Sequence, residues 1–244
     1  MRQVVWLKVA SVNSPHLLLW LEAPLQSWGH DSKFGRRDTM SFPTKSGVLG
    51  LVCSALGAGG EQRPLLDEFS ELKQVAISFI GANKDREPLL SDFHMVGSGY
   101  NQKDPWERLL NPKKGDGSNS VGGGTKLTYR YYLQDAAFAV VIEVPNERSS
   151  LIAEALQNPA WDIYLGRKCC VPTDFIYRGL FHSIEDAIDE ALKIGLQKER
   201  SENFRVVEGE LDIADEVLTI NDVPVQFGEI KRYRDRQVSL IYAG

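Results

Sequence analysis

Apolar positions along the chain follow two periods that alternate in blocks. Residues 16–23 (HLLLWLEA) are almost continuously apolar, the pattern of a strand buried on both faces. After a polar stretch, PLQSWGHDSKFGRRDTMSF, apolar residues recur at Val48, Leu49, Val52, Ala55 and Leu56, one face of a helix. Thr44 is placed to cap its first turn, and Gly57, Gly59 and Gly60 stop it. Residues 64–72 predict a second short helix, and 73–81 and 89–96 predict strands. Residues 97–126 break the pattern: they are rich in Gly, Asn and Lys, with one apolar patch at Trp106, Leu109 and Leu110. A loop of that length in a compact domain is functional or disordered. Strands resume at 127–133 and 136–144, followed by a helix over 147–157 and a turn-rich WDIYLGRKCCVP. A strand over 174–181, an acidic amphipathic helix over 184–194 and strand-like runs at 204–209, 216–220, 223–227 and 237–242 complete the chain. The order strand, helix, strand, insert, strand, helix, strand suits an α+β fold, a ferredoxin-like (RRM-like) βαββαβ sheet with a smaller β-rich lobe after it.

Length and composition narrow this little further. The 244 residues, 43% hydrophobic and 25% charged, suffice for one large domain or two small ones, and exclude collagen-like, coiled-coil and wholly disordered chains. No apolar run approaches the ~20 residues of a membrane span, and residues 1–15, with Lys8 inside their short apolar stretch, do not read as a signal peptide. Cys53, Cys169 and Cys170 cannot build a disulfide framework, and without a CxxC pair the four histidines suggest no zinc site. The expectation is a cytoplasmic protein with no metal or cofactor.

Charge is more informative. The net −5 is unevenly spread. Residues 183–222 hold four Lys/Arg against twelve Asp/Glu, whereas 24–50, 92–132 and 231–238 are each net positive. A bound phosphate responds to the local field, so an acidic chain can still carry basic surfaces; the alternative is charge that only solvates the surface.

The basic segments contain the candidate chemistry. Gln26 and Trp28 follow the first strand, and the loop beyond them carries Lys33, Arg36 and Arg37 before Lys45, Ser46 and Gly47 open a helix. A helix N-terminus presents free N–H groups to an anion, although the GxxxxGK[ST] spacing of a Walker A loop is absent and an ordinary capped helix is the alternative. Tyr164, Arg167 and Lys168 form a second basic turn, in which Arg forks onto phosphate and Tyr stacks on a base. His30, His94 and Tyr132 are the acid–base candidates for a metal-free RNase, but they have no recognisable catalytic spacing. Ser-His-Asp, dinucleotide and RNP1 signatures are missing.

Five blocks, APLQSWG, SFPTKSGVLGLVCSALG, DFHMV, TYRYYLQDAAFAVVIEV and YLGRKCCVP, occur in order over residues 16–172. Together they resemble the CasD family, the fifth-family CRISPR-associated (RAMP superfamily) subunits of type I-E Cascade complexes. The resemblance implies a ferredoxin-like palm over 16–172 with a long β-hairpin thumb near 97–126, a small C-terminal β-rich region over 173–244, and an N-terminal extension at 1–15. It implies a non-catalytic subunit that holds the 5′ handle of CRISPR RNA, caps the CasC backbone and helps dock the large subunit CasA, meeting target DNA only through the complex. His94, Arg130 and Tyr132, in the matching blocks, and Lys126, two residues before the fourth block, join the basic segments above as RNA-binding candidates. The alternative is a metal-independent repeat-RNA endonuclease like the type I-C relatives, using His94, Tyr132 and Lys126 or Lys33. An unrelated ferredoxin-like scaffold is the third reading.

Overall fold

A computed structural model describes residues 14–29, 35–81, 85–96, 103, 114–118 and 126–243, with the side chains of Val96 and Lys126 outside the description. Residues 1–13, His30, Lys33, Trp106 and most of the 97–126 insert lie outside the described residues.

The apolar run forms β1 (His16–Gln26), which is buried on both faces as its pattern requires. Helix α1 (Lys45–Leu56) begins at Thr44, whose hydroxyl accepts from the Gly47 N–H, and ends at Gly57 with φ +66°. Next come α2 (Arg63–Glu68), β3 (Gln74–Gly81) and β4 (Leu90–Val96), with the two-residue β2 (Arg36–Arg37) earlier in the chain. β5 (Lys126–Glu143) is followed by α3 (Ser149–Gln157), β6 (Tyr177–Phe181), α4 (Ile184–Gln197), β7 (Arg200–Glu208), β8 (Glu216–Gln226) and β9 (Arg232–Tyr242).

Seven strands lie side by side in the order β6-β1-β5-β3-β7-β9-β8, every neighbouring pair antiparallel. The result is a mixed α/β protein dominated by one antiparallel sheet. Alternate residues of the central strands feed two cores. Leu17, Leu19, Leu21, Phe138, Val140 and Ile142 face α1, α2 and α3. Leu18, Trp20, Val75, Ile77, Phe79, Ala139 and Val141 face α4 through Ala187, Ile188, Ala191 and Ile194. The segment after residue 172 supplies β6 on one side of the sheet and β7, β9 and β8 on the other, with Phe204, Val206, Ile220, Val238 and Leu240 joining the first core.

Three differences from the sequence pattern have physical causes. β5 is a single strand of 18 residues where Gln134-Asp135 suggested a break. These polar residues mark where the strand passes from pairing with β4 to pairing with β3, and Gln134 still pairs with Leu25 of β1. β8 likewise runs through Asn221-Asp222 because the Asp222 side chain turns inward to Arg236, with a register shift at that point. β9 starts at Arg232, and its charged first half reads as loop until β8 is placed beside it.

Candidate nucleic-acid interface

The N-terminal half of β5 leaves the main sheet and pairs with β4 on one side, Phe93 opposite Tyr129 and Asp92 opposite Arg130. On its other side β2 runs parallel to it, setting Arg36 beside Tyr129 and Arg37 beside Arg130. The described end of the basic loop after β1, from Gly35 onward, is therefore folded onto the root of the β4–β5 hairpin. Its ends are closed by a bridge in which the Met40 N–H donates to the Trp28 carbonyl at 2.8 Å.

The Gly166-Arg167-Lys168 turn docks at the same place. Ser27 N–H donates to the Leu165 carbonyl at 3.0 Å, and a Cβ on Gly166, whose φ is +103°, would stand 1.7 Å from the Ser27 carbonyl oxygen. Only glycine fits there. The turn aims Arg167 into the junction: its guanidinium donates to the Tyr131 carbonyl at 3.1 Å and the Arg37 carbonyl at 2.9 Å, and lies 4.5 Å from the Tyr132 ring centroid. Arg36 stands 4.9 Å from the Tyr131 ring centroid and donates to both Asp38 oxygens at 3.0 Å. Three basic segments separated by up to 130 residues thus meet at one hairpin root. Lys168 is exposed beside them, and Tyr164, half-buried, donates its hydroxyl to Asp162 at 3.3 Å.

Other candidates are placed differently, and the structure corrects them. Lys45 is fully buried: its ammonium donates to the Leu72 carbonyl and to Glu208 at 3.0 Å, which leaves it no access to a phosphate. Burial pulls this ammonium below the usual lysine range, against the upward pull of Glu208. The α1 N-terminus does bind an anion, but an internal one. Asp222 accepts the Lys45 N–H at 2.7 Å and the Arg236 guanidinium at 2.6 and 2.8 Å, while Arg236 also donates to Glu208 at 2.9 Å. Ser46 stands 3.4 Å from the Thr44 hydroxyl, and a Cβ on Gly47 would meet the Trp28 ring at 2.7 Å. Trp28 and Gln26 are buried and bonded to each other; the Gln26 amide also donates to the Leu21 and Ala136 carbonyls. These residues join β1 to α1 and offer no stacking surface.

Tyr132 is also buried; desolvation and its contact with Cys169 hold its phenol protonated, above the usual tyrosine range. His94 is part-exposed and engages Asp92 on its own strand. In register it faces Thr128, four residues from Tyr132, or about 13 Å at strand rise. Arg130 lies on the same hairpin face as His94, and Lys126 keeps only its backbone place opposite Val96.

The sequence pattern does not reveal the hairpin's other face. Phe93, 49% exposed, and Tyr129, 50% exposed, pack with ring centroids 5.1 Å apart, next to Tyr131 and Arg36. The period-2 run LTYRYYL separates Tyr129 and Tyr131 from Arg130 and Tyr132, but it does not say which set faces solvent.

Fold and site together define an antiparallel α/β protein with cations gathered around an aromatic hairpin root. The chain belongs to the CRISPR-associated Cas5 family: the profile described as "CRISPR-associated protein (Cas_Cas5)" matches residues 16–239. Among curated relatives, the "CRISPR system Cascade subunit CasD" of Escherichia coli (strain K12) is 30% identical over 167 residues, 67% of this chain and 70% of the relative. A solved chain from a "CRISPR RNA-guided surveillance complex" superposes with a TM-score of 0.68 at 31% identity, covering 93% of this chain and 90% of that one. Another, titled "Crystal structure of Cas protein", gives 0.58 at 26% identity, covering 93% and 94%. No helix among the described residues is long and apolar enough to cross a membrane.

Proposed function

We propose that this protein is the CRISPR RNA-binding subunit of a Cascade-type surveillance complex, without nuclease activity of its own. It holds the 5′ handle of the RNA, caps a CasC-type backbone and helps dock the CasA-type large subunit, through which the complex meets target DNA. In this reading the β6-β1-β5-β3 core, with α1 and α3 on one face, is a ferredoxin-like palm, and the β4–β5 hairpin is the base of the thumb. The observation that carries it is the convergence of Arg36, Arg37 and Arg167 on the hairpin root, in a chain of the Cas5 family.

Such a root suits a short single strand, whose phosphates meet converging guanidinium groups. The lack of catalysis is supported by geometry. A metal-free RNase needs an acid and a base around one 2′-hydroxyl, whereas Tyr132 is buried and about 13 Å along the ladder from His94.

The test is binding and cleavage of repeat RNA by the purified chain. The RNA should bind and stay intact with or without divalent metal. Arg36→Ala with Arg167→Ala should weaken binding and reduce the slope of log K against log salt by about 0.7 for each phosphate no longer neutralised. Site-specific cleavage that disappears in His94→Ala would overturn the reading in favour of the endonuclease.

A further inference from the structure

The two faces of the β4–β5 hairpin differ in chemistry. One carries three cross-strand pairs in line: Met95 with Leu127, Phe93 with Tyr129, and Ser91 with Tyr131. Met95 and Leu127 are exposed, the Phe93 and Tyr129 rings are half-exposed and in mutual contact, and Tyr131 lies under Arg36 at the root. The opposite face carries Asp92 with Arg130 and His94 with Thr128, with Arg37 in register beside Arg130, so it presents charge and an imidazole where the first face presents exposed rings.

We propose that the Phe93–Tyr129 pair is a base-stacking step, and that a bound single strand leaves the cationic root along this aromatic face and not along the Asp92–His94 face. The inference rests on the RNA-binding reading above and specifies its site. Single-strand sites place cations along the backbone and aromatic rings under the bases, and both occur here in sequence along one ladder. Arg36 is the cation next to the rings, stacked on Tyr131 with Asp38 fixing its orientation. A strand whose phosphate engages Arg36 brings its next bases over Tyr129 and Phe93, two residues farther out along the hairpin. The other face has Arg37 and Arg130 beside Asp92 but, among the described residues, no exposed Phe, Tyr or Trp ring on which a base could stack. Stacking needs a π-face and no specific base edge, so this step would tolerate any base in the RNA it receives.

The experiment uses the full chain and a repeat-derived single-stranded RNA. Phe93→Leu with Tyr129→Leu keeps apolar bulk at exposed positions and removes the rings, so folding is preserved and checked by the thermal midpoint. RNA binding should weaken about 5- to 150-fold, with the salt slope unchanged, because every phosphate keeps its cation. An RNA made abasic at successive positions should show the same weakening at one or two of them in the wild type, and no further weakening there in the variant. Wild-type affinity in the leucine variant would overturn the proposal and leave the strip as a surface for a protein neighbour. So would abasic effects that simply add to those of the variant. Failure of the wild type to bind any RNA would overturn both readings, whereas loss of binding in Arg167→Ala alone would retain the RNA site and reject the stacking step.

Discussion

At the start of α1, Lys45, Glu208, Arg236 and Asp222 form a closed ionic group that ties the helix to β7, β8 and β9. Removing one partner from a buried pair costs about 3–5 kcal/mol. Glu208 would keep Arg236 and the Gln74 N–H, so Lys45→Met should lower the free energy of urea unfolding by about 3 kcal/mol, the lower end of that range. The salt slope of RNA binding by the folded variant should equal that of the wild type; a shallower slope would mean that Lys45 reaches phosphate after all. A second effect of a single residue involves Glu22. Burial alone would raise its carboxyl pKa, but the Trp20 indole N–H, Lys198 and Arg200 outweigh burial and hold it below the ordinary 4.5. A carboxylate with a depressed folded pKa stabilises the protein fully above 4.5, and that contribution disappears as pH falls through the lower folded value. Urea midpoints should therefore separate wild type from Glu22→Gln at neutral pH and converge below pH 4.5. A constant gap down to strong acid would show that the charge of Glu22 contributes nothing.

Among the elements, the β4–β5 hairpin depends most on distant supports. Its root is held by the parallel pairing with β2 and by Arg167, which the turn at Gly166 places against two backbone carbonyls. Gly166→Ala must relieve both a φ of +103° and a Cβ 1.7 Å from the Ser27 oxygen, so the turn has to separate from β1. The expected cost is about 3 kcal/mol. Amide exchange should accelerate at Tyr129, whose N–H donates to the Gly35 carbonyl at 2.7 Å in the same junction. RNA affinity should fall with it. Unchanged exchange at Tyr129 would show that the turn is not what holds β2 to β5.

For the molecule as a whole, the continuity of the sheet matters more than any division of the chain. β7 pairs with β3, and α4 covers Leu18, Trp20, Ile77 and Phe79 on the face away from α1 and α3. A fragment ending at residue 182 would expose that face and the free edge of β3. It should bind a hydrophobic dye and lose cooperative thermal unfolding; a sharp, dye-free transition would establish the first 182 residues as an independent unit. Electrostatics follows the same layout. Exposed Glu185, Asp186 and Asp189 lie on α4, behind the sheet, whereas the Arg167 turn is anchored by Leu165 and Cys170 in the core on the opposite face. Glu208 and Asp222, which belong to the acidic stretch, are neutralised internally by Lys45 and Arg236.

Local rules determined most of the elements. The continuous apolar run of β1, the capped α1 with its glycine stop, and the one-sided apolar stripe of α4 each depend on neighbours in the chain, so periodicity and capping residues suffice to place them. The five ordered blocks likewise make the family legible in the sequence alone. Which side chains face water was settled only by tertiary packing. Lys45, Trp28 and Tyr132 carry the residue types of an RNA site, yet partners 163, 19 and 35 residues away bury them: Glu208 takes the Lys45 ammonium, Gly47 receives the Trp28 ring and Arg167 covers Tyr132. Phe93 and Tyr129 look like core residues and are exposed because the hairpin leaves the sheet. Charge, aromaticity and period are properties of the chain, but exposure depends on long-range packing, and a one-residue change of face along a strand exchanges a binding surface for a core.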